Sequence, residues 1–400
     1  MLEQLSISNF KCFAEKTTFS LKSLNVFSGL NGRGKSTVFQ SLLMLSQSLN
    51  KNGNIEYLYV NGDYVNLDLF DDILNFKCST KEHKDKTIRF ELTSDNQEIN
   101  KIELGYKEHS ERVGVISELK INNENYFQKG ASIGTSSVPA KKGKDKDSFL
   151  YGYPKDQVNS LFRNVYYISA DRLGPTRDER KADEYTHNPL GVFGEHRLNI
   201  LYDKDLSINA VRFDETQGTL LDETSKWLAY IMDGAKLSLR GEDKEDSVLQ
   251  LFLSNNEQYD KKIKAINFGY GYSYILSIIL IALLAKPDSL VFVENPEAHL
   301  HPRAQSRLTE LLCKLSEIGV QVFIETHSEH VINRARLSVL KDNTKLTHKD
   351  VSIYFFGEKF DITHLEMNED AQFLDANCLT GFLDQQEIDT GNILKLGLFR

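Results

Sequence analysis

The pattern of apolar and polar positions changes period several times along the chain. Residues 1–50 read as strand, strand, loop and helix. A short apolar run at 24–28 enters a glycine-rich turn, and from Lys35 onward Val38, Leu42, Leu45 and Leu49 lie close to a helical stripe. Between about 56 and 130 the texture becomes alternating. Residues 87–92, 102–104 and 113–121 place apolar side chains at every second position, with polar turns such as 122–125 between them. That pattern predicts a meander of antiparallel strands with one wet face. Residues 150–260 hold helical stretches, such as 220–237, broken by polar segments, and are expected to form a mostly helical insertion.

From 261 to 360 the chain returns to α/β texture. The runs 289–293 and 320–324 are short and apolar, of the kind buried in a parallel sheet. Between them Leu308, Leu311, Leu312 and Leu315 fall at i, i+3, i+4 and i+7, with Pro302 near the start of that helix and Gly319 just past its end. This is a βαβ unit. The predicted organisation is α/β with a mixed sheet, an antiparallel β subdomain and a mostly helical insertion. Its expected boundaries are 1–130 for a first lobe, 131–260 for a loop and the insertion, and 261–400 for a second lobe.

Composition adds limits. A chain of 400 residues with 40% hydrophobic and 26% charged residues has ample material for a core. Its net charge of -9 argues against a protein that coats nucleic acid over its whole surface. Residues 131–149 are rich in Ser, Gly and Lys, but interleaved aspartates dilute the charge, so a surface loop is the simpler reading than a nucleic-acid patch. Cys12, Cys78, Cys313 and Cys378 are scattered without a CxxC pair, as expected in a reducing cytoplasm. The N-terminus lacks the order of a signal peptide, and the longest apolar run, 275–285, falls short of the ~18 residues a membrane span needs. A cytoplasmic chain with no membrane partner is the expectation.

The chemistry begins at Gly29-Leu-Asn-Gly-Arg-Gly-Lys-Ser36, which fits GxxxxGK[ST]. The pattern is short, but here it follows an apolar strand and opens a helix, the context that gives it meaning. Glycines let backbone N–H groups converge on phosphate oxygens, and the helix N-terminus adds a favourable dipole. Asn31, Gly32, Arg33, Gly34, Lys35, Ser36 and Thr37 are thus candidate nucleotide-binding residues. Lys35 is suited to the β- and γ-phosphates of ATP and Ser36 to Mg²⁺.

A second centre lies at Glu294-Asn-Pro-Glu297-Ala-His-Leu-His301, just past a predicted buried strand. Ligands of open α/β sheets bind outside the carboxyl ends of strands, so Glu294 is placed to hold Mg²⁺ directly or through water, with Glu297 one short turn further on. The next strand brings His327 to the same edge. A zinc site of His299, His301, His327 and His330 is a rival reading, less economical beside a phosphate loop. A further glycine turn, Gly269 and Gly271, precedes the apolar helix 275–284. One nucleotide does not need two such turns from one subunit, so this one is expected to clamp a nucleotide held by a partner subunit.

In this order the elements resemble an ABC-type ATPase head of the RecF/SMC/OLD-like group. Asn9, Phe10 and Lys11 are similar to its opening element near the adenine, 267–273 to its signature loop, 294–302 to its Walker B and D-loop, and 325–328 to its switch histidine. Within that group it is similar to stand-alone bacterial ATPases with a Glu-Asn-Pro-Glu motif and a segment like Gly381-Phe-Leu-Asp-Gln385 near the end. The resemblance implies ATP and Mg²⁺, a homodimer or higher homo-oligomer, and a separate effector, such as a nuclease, or DNA as partner, often in anti-phage defence. Two departures matter. Asn295 stands where the common pattern has the glutamate that polarises water, which removes general-base help worth ~10²–10⁴-fold unless Glu297 substitutes. Gly269 replaces the signature serine. Gln47 and Asp71-Asp72 are both candidates for the Q-loop position. A nucleotide-gated scaffold with negligible hydrolysis, and a RecF-like DNA-repair head, are the alternatives.

Overall fold

The computed structural model describes residues 1–79, 85–127, 150, 152–162, 164–181, 188–216, 218–241, 247–255, 259–342, 344–374, 389, 391–392 and 395. In chain order the strands are β1 Leu2–Ser8, β2 Thr17–Ser20, β3 Leu24–Gly29, β4 Tyr57–Tyr59, β5 Ile88–Ser94, β6 Lys101–Ser110, β7 Val113–Ile121, β8 Glu124–Asn125, β9 Val165–Ile168, β10 Glu179–Arg180, β11 Ala235–Arg240, β12 Val248–Asn255, β13 Tyr259–Lys264, β14 Leu290–Glu294, β15 Gln321–Thr326, β16 Val351–Phe356 and β17 Ile362–His364. The helices are α1 Lys35–Asn52, α2 Phe70–Ile73, α3 Phe76–Ser79, α4 Lys155–Ser160, α5 Arg197–Tyr202, α6 Leu220–Ile231, α7 Tyr270–Leu284, α8 Pro302–Glu317 and α9 Glu329–Val339. The chain forms two compact units, each made from separate stretches of sequence: residues 1–21 with 36–164, and residues 22–35 with 165–400.

The first unit is built on a seven-stranded sheet in the order β2-β1-β5-β6-β7-β4, with β8 on β7. Every pairing is antiparallel. The alternation that predicts these strands is the reason they form. In β5 the side chains of Ile88, Phe90 and Leu92 are buried while those between are half-buried, so one face meets the core and the other stays wet. Most of helix α1 belongs to this unit, and its Gln47 fixes the segment beyond the helix. The Gln47 amide donates to Tyr59 O (2.8 Å) and accepts from Val65 N (2.9 Å), which pins 59–65 against the helix.

The second unit contains a six-stranded sheet, β17-β16-β3-β15-β14-β9. β16, β3, β15, β14 and β9 run parallel, and only β17 returns antiparallel. β3, β15 and β16 are buried at all positions, as strands covered on both faces should be. One face presents Val26, Val291, Val293, Val322 and Ile324 to the core cluster that includes α7 and the inner side of α8. The βαβ unit β14–α8–β15 stands where the sequence places it. Pro302 opens α8 behind the cap His301, and Gly319, at φ 89°, follows its end.

The expectation of a mostly helical insertion requires correction. The described part of 150–260 holds α4, α5 and α6, but also a four-stranded antiparallel sheet, β10-β12-β11 with β13 on β12. The helix expected over 220–237 ends at Ile231. Asp233 and Gly234 then take φ 51° and 97°, and Gly234 N returns to Ala229 O (2.7 Å), a left-handed helix stop that releases the chain into β11. The expected loop at 131–149 and the motif at 381–385 lie outside the described residues.

Candidate functional site

β3 delivers the chain to a loop shaped by Gly29, Gly32 and Gly34, at φ 121°, 70° and 106°. Gly29 has a second constraint. A Cβ there would sit 2.3 Å from Phe356 O, because β16 passes directly beside the loop and Phe356 O also accepts from Leu30 N (2.8 Å). Lys35 starts α1 and is buried. Its ammonium donates to two carbonyls of its own loop, Leu30 O (2.8 Å) and Gly29 O (3.1 Å). Burial lowers its pKa, and the charges of Glu325 and then Glu297 partly restore it. Arg33 lays its guanidinium over the ring of Phe360, 5.2 Å from the centroid.

The acidic residues gather at the carboxyl edge of the same sheet, where Glu294 of β14 is in register with Glu325 of β15. The Glu294 carboxylate is already held, accepting from the Tyr167 hydroxyl (3.0 Å) and from Ala170 N (3.1 Å). Burial raises its pKa above the usual carboxylate range, while those two hydrogen bonds and Arg172 pull it back. Asn295 adopts φ 43° and donates its N–H to Glu325 O (2.8 Å), and its side-chain Oδ1 is buried without a hydrogen-bond partner among the described residues. Arg172 clamps this turn. Its guanidinium donates to Glu294 O (2.6 Å), Asn295 O (2.7 Å) and Ser169 O (3.2 Å) and lies over the Tyr274 ring, and burial lowers its pKa to about 10.

Glu297 ties the two strand ends together. Its oxygens accept from Thr326 Oγ1 (2.8 Å) and His327 N (2.7 Å). Partial burial and the neighbouring Lys35 lower the pKa of His327, which favours its neutral imidazole, and the Gly29 backbone is one of its partners. Gly269 caps α7, with open space where a side chain would be, whereas a Cβ on Gly271 would meet His299 O at 2.7 Å. Gly271 is therefore a packing residue that seats α7 on the turn after β14. His299 packs between Tyr270 and Tyr274, with centroids at 5.5 and 4.8 Å, and His301 Nδ1 accepts from Arg303 N as the cap of α8.

Residues 24–333 match the family described as "AAA domain, putative AbiEii toxin, Type IV TA system". The chain belongs to this family. The AAA chain is 34% identical over 100 residues to the Old nuclease of Escherichia phage P2, a match that spans 21% of this chain and 17% of the phage protein. Its fold is that of an ABC-type ATPase head. An Smc head solved bound to the C-winged helix domain of ScpA aligns with a TM-score of 0.54 and 12% identity over 91% of this chain and 98% of that one. The Pyrococcus furiosus Smc head with an extended coiled coil, bound to the C-terminal domain of ScpA, aligns at 0.53 and 12% over 91% and 96%.

Other candidate residues of this AAA chain lie in its first unit. Asn9 and Lys11 take φ 56° and 49°. Asn9 donates to Thr87 O (3.1 Å), Lys11 Nζ to Gln40 Oε1 (2.6 Å), and Phe10 is fully buried edge-to-face on Phe90. Thr37 Oγ1 accepts from the Cys12 thiol (3.8 Å), and burial raises that thiol's pKa. Ser36 is half-buried in the first turn of α1. Of the Q-loop candidates, Gln47 is committed to 59–65, and Asp72 accepts from Leu69 N to cap α2. Three residues at the edge of the parallel sheet were not proposed as site residues from the sequence: Tyr167, Arg172 and Glu325, the last named only as the start of the segment 325–328. The signal for Arg172 was a lone arginine just after an apolar strand; for Glu325 it was a carboxylate directly after the apolar run 322–324.

Proposed function

We propose that this chain is a dimeric ATPase that binds ATP with Mg²⁺ at the 29–36 loop and couples nucleotide-dependent closure to an effector. The observation that carries the reading is the loop itself. Its left-handed glycines, with a buried lysine folded onto their carbonyls at the mouth of a parallel sheet, form a cradle that phosphate oxygens fit. The residues fit the implied group. Lys35 would exchange its two carbonyl partners for the β- and γ-phosphates, and Ser36, next in the chain, would hold Mg²⁺. Bound Mg²⁺ would neutralise charge developing on the phosphoryl oxygens.

Neutral His327 would orient the terminal phosphate, and Asn295, with its buried and unengaged Oδ1, would accept a hydrogen bond from the attacking water. The Gly269 end of α7, open at its cap, would face a nucleotide on a second copy of the chain. The match to a phage protein named a nuclease supports an effector of that kind, working beside this chain in anti-phage defence. One observation favours a second reading, an ATP-gated scaffold of negligible turnover. Asn295 cannot take a proton, and both oxygens of Glu297 are engaged by Thr326 and His327.

The experiment is ATP turnover by wild type, Lys35→Ala and Glu297→Gln. Turnover by wild type with a loss of about 10²-fold or more in Lys35→Ala supports hydrolysis at this loop. Equal turnover by wild type and Lys35→Ala overturns it. Tight ATP binding without turnover, with partner and DNA present, selects the scaffold.

A further inference from the structure

The antiparallel sheet β10-β12-β11, with β13 on β12, turns one face to the core and keeps the other wet, and the wet face is basic. Leu249, Leu251 and Leu253 of β12 join the core cluster with Ala235 and Leu239 of β11, so Val248, Gln250, Phe252 and Ser254 point the other way. Each of these four uncharged residues has a cation directly opposite it on a neighbouring strand. Arg180 of β10 faces Val248, Arg240 of β11 faces Gln250, Lys264 of β13 faces Phe252, and Lys236 of β11 faces Ser254. Lys262, two residues before Lys264 in β13, shares its face and adds a fifth. The four positions of β12 span about 20 Å, with cations one strand to either side, which makes a stripe about 10 Å wide.

The wet face of the seven-stranded sheet is built otherwise. There Lys16 pairs with Glu91, Arg89 with Glu118, and both Lys101 and Lys120 with Glu103. Among the described residues, none of the five cations of the stripe makes an ion pair. Arg240 instead lies over the Phe252 ring, 4.5 Å from the centroid, and leaves that ring 5% exposed. In a chain whose net charge is -9, five cations gathered on one face repel one another, a cost that an anion covering them would offset.

We infer that this face docks the phosphate backbone of duplex DNA and does not read its sequence. A duplex carries one negative charge per about 1.7 Å of its axis, so a straight stripe of about 20 Å meets about six base pairs of a regular line charge. Single strands are held by bases stacked on exposed aromatic rings, and the aromatic ring on β12 lies under Arg240. Residues 242–246, which join β11 to β12, carry four carboxylates and one lysine. The end of the stripe around Lys236, Lys262 and Lys264 is therefore the one that the experiment neutralises. The inference does not depend on the reading of the loop as an ATP site.

The test is fluorescence anisotropy of a labelled DNA duplex of about 20 base pairs with the full chain, at salt from about 50 to 200 mM. Wild type is compared with the triple variant Lys236→Ser, Lys262→Ser, Lys264→Ser, which leaves Arg240 over Phe252. A charge-matched control, Lys16→Ser, Lys107→Ser, Lys120→Ser, changes net charge equally on the other antiparallel sheet. Each lost phosphate contact removes about 0.9 from the slope of log affinity against log salt, so the fall in affinity across that range should shrink by about 40-fold in the triple variant. The control and Lys35→Ala should keep the wild-type slope. The inference is overturned if the triple variant keeps that slope, or if the control or Lys35→Ala loses as much. Tighter binding of a single strand or an RNA duplex of equal length overturns the choice of duplex DNA, and equal capture of polyaspartate overturns nucleic acid altogether. Thermal unfolding reports whether each variant is folded. Should the triple variant unfold, Lys236→Gln with Lys262→Gln, both at exposed positions, replaces it, with a slope change of about two contacts expected and an unchanged slope again refuting the role.

Discussion

Replacing Gly29 by alanine tests the geometry of the phosphate loop without assuming anything about turnover. The substitution does two things. It places an L-residue at φ 121°, a conformation costing about 1–3 kcal/mol, and it drives a methyl group to 2.3 Å from Phe356 O and 2.6 Å from Phe356 N. Those contacts are backbone atoms of β16 and cannot swing aside, so the overlap adds about 1–3 kcal/mol more. The sum, about 2–6 kcal/mol, is a large part of the 5–15 kcal/mol that holds a typical domain together. Gly32→Ala is the control. Its φ of 70° is also left-handed, but a Cβ there meets nothing within 4 Å, so only about 1–2 kcal/mol is expected. Calorimetric melting should show Gly29→Ala unfolding well below Gly32→Ala, at about 2–4 °C per kcal/mol for a domain of this size. Fluorescent-nucleotide binding should be lost first in Gly29→Ala. If the two variants melt within a degree of each other, the close approach of β16 to the loop is not real and the reasoning fails.

Other outcomes concern the edge of the sheet. The raised pKa of Glu294 means that its neutral form is favoured in the fold: its stabilising contribution is full below its ordinary 4.5 and is lost as pH rises through the folded value. Glu294→Gln can keep both partners, so it should melt at or above wild type at pH 7, and the advantage should vanish near pH 4; a lower melting point at pH 7 refutes this. His327 runs the opposite way, its neutral form being stabilising above the ordinary 6.5 and that contribution lost as pH falls through a lower folded value. An NMR titration of His327 should give a midpoint below 6.5, and Lys35→Met should move it upward; no movement would show that the two side chains do not interact. Arg172→Lys loses the planar fork that reaches Glu294 O and Asn295 O, so urea unfolding should report a loss of about 1.5–3 kcal/mol, and a change below 0.5 would count against the clamp.

What the residues disclosed in advance was whatever depends on local periodicity and local chemistry. The strand Val113–Ile121, the helix opening at Lys35 and each element of the unit β14–α8–β15 carry their pattern within about twenty residues. The strands β11 and β12 were hidden because Ala235–Arg240 comes soon after α6 through a tight left-handed turn, and the leucines of helix and strand blend into one apolar stretch. At the candidate site, the loop and the cluster 294–301 were visible as motifs. The partners of its carboxylates were not, because they depend on which strands lie beside β14, a fact of long-range register. Arg172 escaped notice for the same reason, since the turn it clamps, at Glu294 and Asn295, is more than a hundred residues away in sequence.

The hydrogen bonds from Lys35 to Gly29 O and Leu30 O have a thermodynamic consequence. A lysine whose ammonium is already satisfied gains little in number of bonds when phosphate arrives; it trades two neutral acceptors for charged ones. Association is then an exchange reaction, whose free energy is the difference between two partner sets rather than the whole strength of the new one. Affinity should depend steeply on how negative the incoming group is. A triphosphate would displace the carbonyls, a monophosphate would compete with them poorly, and the loop would discriminate by charge before the base is read at all.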